Sequence, residues 1–176
     1  MRLRFTNRTY RAGFFNYDGY TNRSITIQLA GAYRSRWNQK IFYKYIKMVK
    51  ANILVVDDMP AELHMQRKIL EKAGYHVETA TNGAEGFVKA KELLPDLILM
   101  NWVMPVLDGC KATRKLKDDK DTRHIPVIMY SCKSQETDIA WAKYQGAVDY
   151  LVSPVEISEL LKKVEQHLPK NVKDNN

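Results

Sequence analysis

From Ala51 onward the chain repeats one pattern five times: a short apolar run, then an amphipathic stretch of helical length. The runs lie at residues 53–56, 77–80, 97–100, 127–130 and 150–152. Parallel strands can be joined only by a crossover, so this alternation builds βαβ units around a parallel sheet. Leu97-Ile98-Leu99-Met100 shows no apolar–polar alternation and predicts a central strand covered on both faces. His76-Val77-Glu78-Thr79 is mixed and reads as an edge.

The helical stretches have identifiable ends. Pro60 can open a helix that runs through Lys72, with Leu63, Ile69, Leu70 and Ala73 on its apolar side and Gly74 placed as a C-cap. Further helices are predicted over 84–94, 110–117 and 135–145, the last stopped by Gly146. Ile157, Leu160, Leu161, Val164 and Leu168 stripe one face of a fifth. The fold class is α/β, a doubly wound five-stranded parallel sheet.

Such sheets place their sites beyond the carboxyl ends of the strands. Asp57-Asp58, Asn101, Ser131 and Ser153-Pro154 all fall at that edge. Two adjacent carboxylates leaving a buried strand are costly unless solvated, hydrogen-bonded or holding a cation, which suits a hard-metal pocket of the Mg2+ type. The competing reading is an acidic helix cap, because Asp58 stands just before Pro60. Convergence of the other strand ends favours the pocket.

Three segments carry a specific resemblance: Ile53-Leu54-Val55-Val56-Asp57-Asp58, Val103-Met104-Pro105-Val106-Leu107-Asp108-Gly109 and Gly146-Ala147-Val148-Asp149-Tyr150-Leu151-Val152-Ser153-Pro154. Together they resemble the CheY-like receiver domain of two-component response regulators, a flavodoxin-like (βα)5 fold, over residues 51 to about 168. The segment Gln135-Glu136-Thr137-Asp138, with Trp141 and Gln145 to Tyr150, is most similar to single-domain regulators of type IV pilus twitching motility. The resemblance implies that the acidic pair and a phospho-accepting aspartate ligate Mg2+, that a hydroxyl residue bonds the phosphoryl group, and that a lysine pairs with the acceptor. Asp57, Asp58 and Ser131 match, whereas Asn101 stands at the acceptor position and Ser153 at the lysine position.

Those departures bear on the chemistry. An amide oxygen is neutral and poorly nucleophilic, so Asn101 should not accept phosphate. Losing one carboxylate and one ammonium together keeps the pocket charge, and losing both is easier than stranding either one. A weakened Mg2+ site is expected from Asp57, Asp58, the Asn101 amide oxygen and the Val103 backbone carbonyl. The switch pair implied by the resemblance, Ser131 and Tyr150, persists.

The chain is therefore expected to be a phosphorylation-independent interaction module and not an enzyme. It would dock signalling proteins such as a histidine kinase or a motility component through the fourth helix, fifth strand and fifth helix. Tyr150, Ile139 and Lys143 are contact candidates, with core packing the other reading for the first two. The Ser153-Pro154 bond is expected to be cis. Other readings are a phosphotransfer receiver using Asp57 or Ser131, and a decaying copy with no role.

Charge divides the chain. Residues 1–50 hold eleven Lys or Arg against one acid, Asp18, giving +10, while the remainder gives −2. This head also carries eleven of the eighteen aromatics but no sustained apolar period, and no stable fold is assigned to it. It is read first as sequence upstream of a start at Met48. The rival is a basic aromatic arm for nucleic acid or an anionic membrane, although no nucleic-acid motif supports it. It lacks the apolar core of a secretory signal, and no run of about eighteen apolar residues could cross a membrane. Cys110 and Cys132 lack CxxC spacing, and a reduced, cytoplasmic setting is expected. The receiver is placed at 51–170, with a tail at 171–176.

Overall fold

A computed structural model describes residues 49–169 of the protein. The readings of the basic head up to Met48 and of the 171–176 tail lie outside the described residues. Lys50 is already tied to the body: its N–H donates to the Gly74 carbonyl at 3.0 Å, and its ammonium lies 5.7 Å from the Tyr75 ring centre.

Five strands and five helices alternate: β1 (Asn52–Val56), α1 (Pro60–Lys72), β2 (His76–Ala80), α2 (Gly83–Leu93), β3 (Leu97–Asn101), α3 (Gly109–Asp118), β4 (Val127–Ser131), α4 (Glu136–Tyr144), β5 (Asp149–Val152) and α5 (Ile157–His167). The strands form one parallel sheet in the order β2-β1-β3-β4-β5. β1 pairs with β3 in the register Ile53↔Leu97 through Val56↔Met100, and β3 pairs with β4 from Ile98↔Val127 to Asn101↔Tyr130. The strand read as central lies in the middle of the sheet, and the mixed segment is an edge.

Successive strand residues point to opposite faces, and this splits the core in two. Leu54, Val56, Ile98, Met100, Val127, Met129 and Tyr150 pack with residues of α2, α3 and α4. Ile53, Val55, Leu97, Leu99, Ile128 and Leu151 pack with α1 and α5. Burying each such Leu or Ile contributes about 1.5–3 kcal/mol, so both layers hold the strand ends in register.

Local chemistry sets the helix starts near the site. The Asn82 side chain accepts from the N–H groups of Ala84 and Glu85 at 3.0 and 2.9 Å and caps α2. Asp108 caps α3 by accepting from the Lys111 N–H at 3.0 Å. The acidic-cap reading of Asp58 does not hold: the N-cap of α1 is Met59, without a side-chain cap, and Pro60 supplies the first turn. The Ser153-Pro154 bond is cis, as expected.

Gly109 fixes the loop after β3. Its N–H donates to the Trp102 carbonyl at 2.8 Å. A Cβ there would run into the Asn101 carbonyl. Among the described residues no helix is long and apolar enough to cross a membrane.

Candidate functional site

The carboxyl ends of β1, β3, β4 and β5 carry the residues singled out above to one edge of the sheet. Asp57 is buried, at 1% exposure. Asp58 and Asn101 are half-buried. One Asp57 oxygen, Oδ1, accepts from the Met59 N–H at 2.8 Å and from the Asn101 amide at 3.3 Å. The same amide nitrogen reaches Asp58 Oδ1 at 3.3 Å and the Val103 carbonyl at 3.2 Å. The structure thus brings Asp57, Asp58, Asn101 and Val103 together through one side chain.

All three neighbours of that amide are acceptors, so only its N–H side can face them. Burial pushes the Asp57 carboxyl up to about 6; the Met59 N–H and the Asn101 amide oppose the push, and the charges of Asp58 and Glu62 add to it.

These residues bear directly on whether Mg2+ fits. Asp57, Asp58 and the Val103 carbonyl are hard oxygen donors of the kind such an ion takes. The expected fourth donor, the Asn101 amide oxygen, is turned away, and an N–H donor faces the acids instead. Among the described residues no group of three or more His, Cys, Asp or Glu could hold a metal. As arranged, the set offers a divalent cation three oxygen donors, and the Asn101 oxygen joins them only if the amide turns over.

Ser131 is buried at 3% exposure, and its Oγ accepts from the Lys133 N–H at 3.3 Å. Ser153 is held beside it by backbone, its N–H donating to the Ser131 carbonyl at 2.9 Å. Tyr150 points into the core at 5% exposure, and its hydroxyl donates to the Lys133 carbonyl at 2.9 Å. Burial pushes the Tyr150 phenol up, with the Ser131 hydroxyl opposing. The Tyr150 ring meets Trp102 edge-on at 6.2 Å, and the Lys133 ammonium sits 5.2 Å from the Trp102 ring. The residue after Asn101 is thereby connected to β5 and to the loop that enters α4.

Of the contact candidates, Tyr150 is buried and Ile139 packs partly against the core, while Lys143 is exposed. Sequence reasoning missed a more prominent surface feature. Trp141 and Tyr144 on α4 stack at 5.6 Å and 27° while remaining 52% and 71% exposed. Val148, Val152 and Ile157, on or next to β5 and α5, are also exposed. The signal was available: Ile139 and Ala142 define the inward side of α4, and Trp141 and Tyr144 are neighbours three apart that fall off it.

Comparison with known proteins agrees with this fold. The response regulator receiver domain model matches residues 53–165. The chain is 48% identical to Protein PilH of Pseudomonas aeruginosa over 114 residues, covering 65% of this chain and 94% of that protein. The structure of the chemotaxis protein CheY4 of Vibrio cholerae superposes with a TM-score of 0.64 at 30% identity, covering 67% of this chain and 98% of that one. The receiver domain of a sensor histidine kinase from Pseudomonas aeruginosa, which has a magnesium ion coordinated in its active site cleft, superposes with a TM-score of 0.63 at 29% identity, covering 66% and 96%.

Proposed function

The chain belongs to the response regulator receiver domain family, and we propose that it acts within that family as a docking module whose output does not depend on phosphorylation. The observation that carries this reading is the Asn101 side chain. A neutral amide stands at the end of β3, with its nitrogen turned toward Asp57 and Asp58. It offers phosphorus no anionic oxygen. The alternative acceptors are poorly placed, since Asp57 and Ser131 are 1% and 3% exposed and already hydrogen-bonded.

The module has no turnover of its own and works in the cytoplasm. Similarity to PilH supports a place in type IV pilus twitching motility, with a histidine kinase or a motility component as partner. The docking face is formed by α4, β5 and α5, where the Trp141–Tyr144 stack supplies the rigid aromatic anchors that interfaces favour. Tyr150 and Trp102 hold the β4–α4 loop from within by the contacts to Lys133.

Binding of the full chain to a twitching-motility histidine kinase, read by biolayer interferometry, tests the proposal. Affinity should be the same with and without acetyl phosphate. It should fall at least about tenfold in Trp141→Ala/Tyr144→Ala, as expected for loss of an aromatic hot spot. Binding that requires acetyl phosphate would overturn the reading.

A further inference from the structure

The Asn101 amide does more than fill a vacated acceptor position. Its two N–H bonds are shared among three oxygens, Asp57 Oδ1, Asp58 Oδ1 and the Val103 carbonyl, at 3.3, 3.3 and 3.2 Å. Two of these belong to adjacent carboxylates at the end of β1, and the third belongs to the loop after β3. Such oxygens repel one another unless something positive lies between them. Here the positive end of the amide dipole takes that place.

We propose that the Asn101 amide is a built-in substitute for a divalent cation, clamping the end of β1 to the end of β3, so that Mg2+ competes with the clamp instead of completing the site. This deepens and rests on the reading of the site as a receiver pocket that no longer takes phosphate. The clamp is pre-set by the backbone. Gly109 packs against the Asn101 carbonyl and donates to the Trp102 carbonyl, which fixes the segment that carries the amide. The Met59 N–H also donates to Asp57 Oδ1, at 2.8 Å.

An incoming cation must break three hydrogen bonds and turn the amide over, so that its oxygen rather than its nitrogen meets the acids. With the amide in place the acid pair is satisfied without any ion. The pocket then keeps that conformation until Mg2+ is concentrated enough to displace the amide. An aspartate at position 101 would reverse this, because three carboxylates would converge and need a cation to hold them together.

Calorimetric titration with MgCl2, and thermal melts with and without it, decide the matter on the full chain. The wild type should show no saturation up to about 10 mM Mg2+ and an unchanged Tm, since a ligand shifts stability only if it binds the folded state. Asn101→Asp should bind Mg2+ at least about tenfold more tightly than wild type and melt below it until the ion is added. Asn101→Ala, which removes the amide without adding charge, should also melt below wild type and take up Mg2+ more tightly.

Saturable wild-type binding within about threefold of Asn101→Asp would overturn the clamp, because a ligand charge should separate the two. Asn101→Ala melting at or above wild type, or binding Mg2+ no better, would also overturn it. If Asn101→Asp does not fold, the alanine variant alone decides. None of these readings involves phosphate, so a wild type that binds Mg2+ nearly as tightly as Asn101→Asp removes the clamp and leaves phosphorylation-independent docking standing.

Discussion

At the scale of the residue, the proposed function turns on Asn101 and Ser153, and Asp57 records the environment around them. Relative to the receiver pattern, Asn101 and Ser153 lack an acid and a base together, and that was legible only through the resemblance to that family. The orientation of the amide was not legible. A sequence names the side chain, but only the convergence of Asp57, Asp58 and the Val103 carbonyl dictates that nitrogen rather than oxygen faces them. Asp57 makes a testable statement about pH. Its carboxyl rises from 3.8 to about 6 in the fold, so the folded state binds the extra proton between those values. Its contribution to stability is therefore full at low pH and is lost as pH rises through about 6. Urea denaturation should show Asp57→Asn gaining stability relative to wild type over that window, with the difference levelling off above it. A difference that is flat from about pH 4 to 7 would contradict the burial of this charge.

At the scale of the element, the strands were the most legible part of the chain and α4 the least. The run Leu97-Ile98-Leu99-Met100 could only be a strand covered on both faces, and β3 is that strand, paired on both sides. Helix α4 has nine residues, and Ala142 is its one buried position, so counting apolar residues could not say which of them point outward. Trp141 therefore reads as a family marker instead of surface, and Tyr144 is not singled out at all. The turn between β3 and α3 depends on Gly109, whose missing side chain lets the Asn101 carbonyl approach. Gly109→Ala should cost roughly 1–3 kcal/mol in urea denaturation, the range for forcing an extra methyl into packed structure. A neutral outcome would show that the loop following Asn101 is free to shift, and the fixed placement of the amide would fall with it.

At the scale of the whole molecule, one parallel sheet with a separate core on each face presents every candidate residue at a single edge. That architecture followed from the five-fold alternation of apolar runs and helical stretches, since few topologies satisfy it. The proposed docking face was legible only as an implication of family resemblance, because which helix surfaces stay uncovered is a property of the packed assembly. The charge of the chain is also divided at this scale, +10 over residues 1–50 against −2 for the rest, so the basic balance says nothing about the receiver body. The central claim is that a receiver fold persists without its phosphorylation trigger. Intact-mass measurement of the full chain after incubation with Mg2+ and acetyl phosphate tests it most directly. The wild type should be unchanged in mass, while Asn101→Asp/Ser153→Lys, which restores acid and base, gains one phosphoryl group. A wild-type protein that gains a phosphoryl group, lost again in Ser131→Ala or Asp57→Asn, would contradict the account.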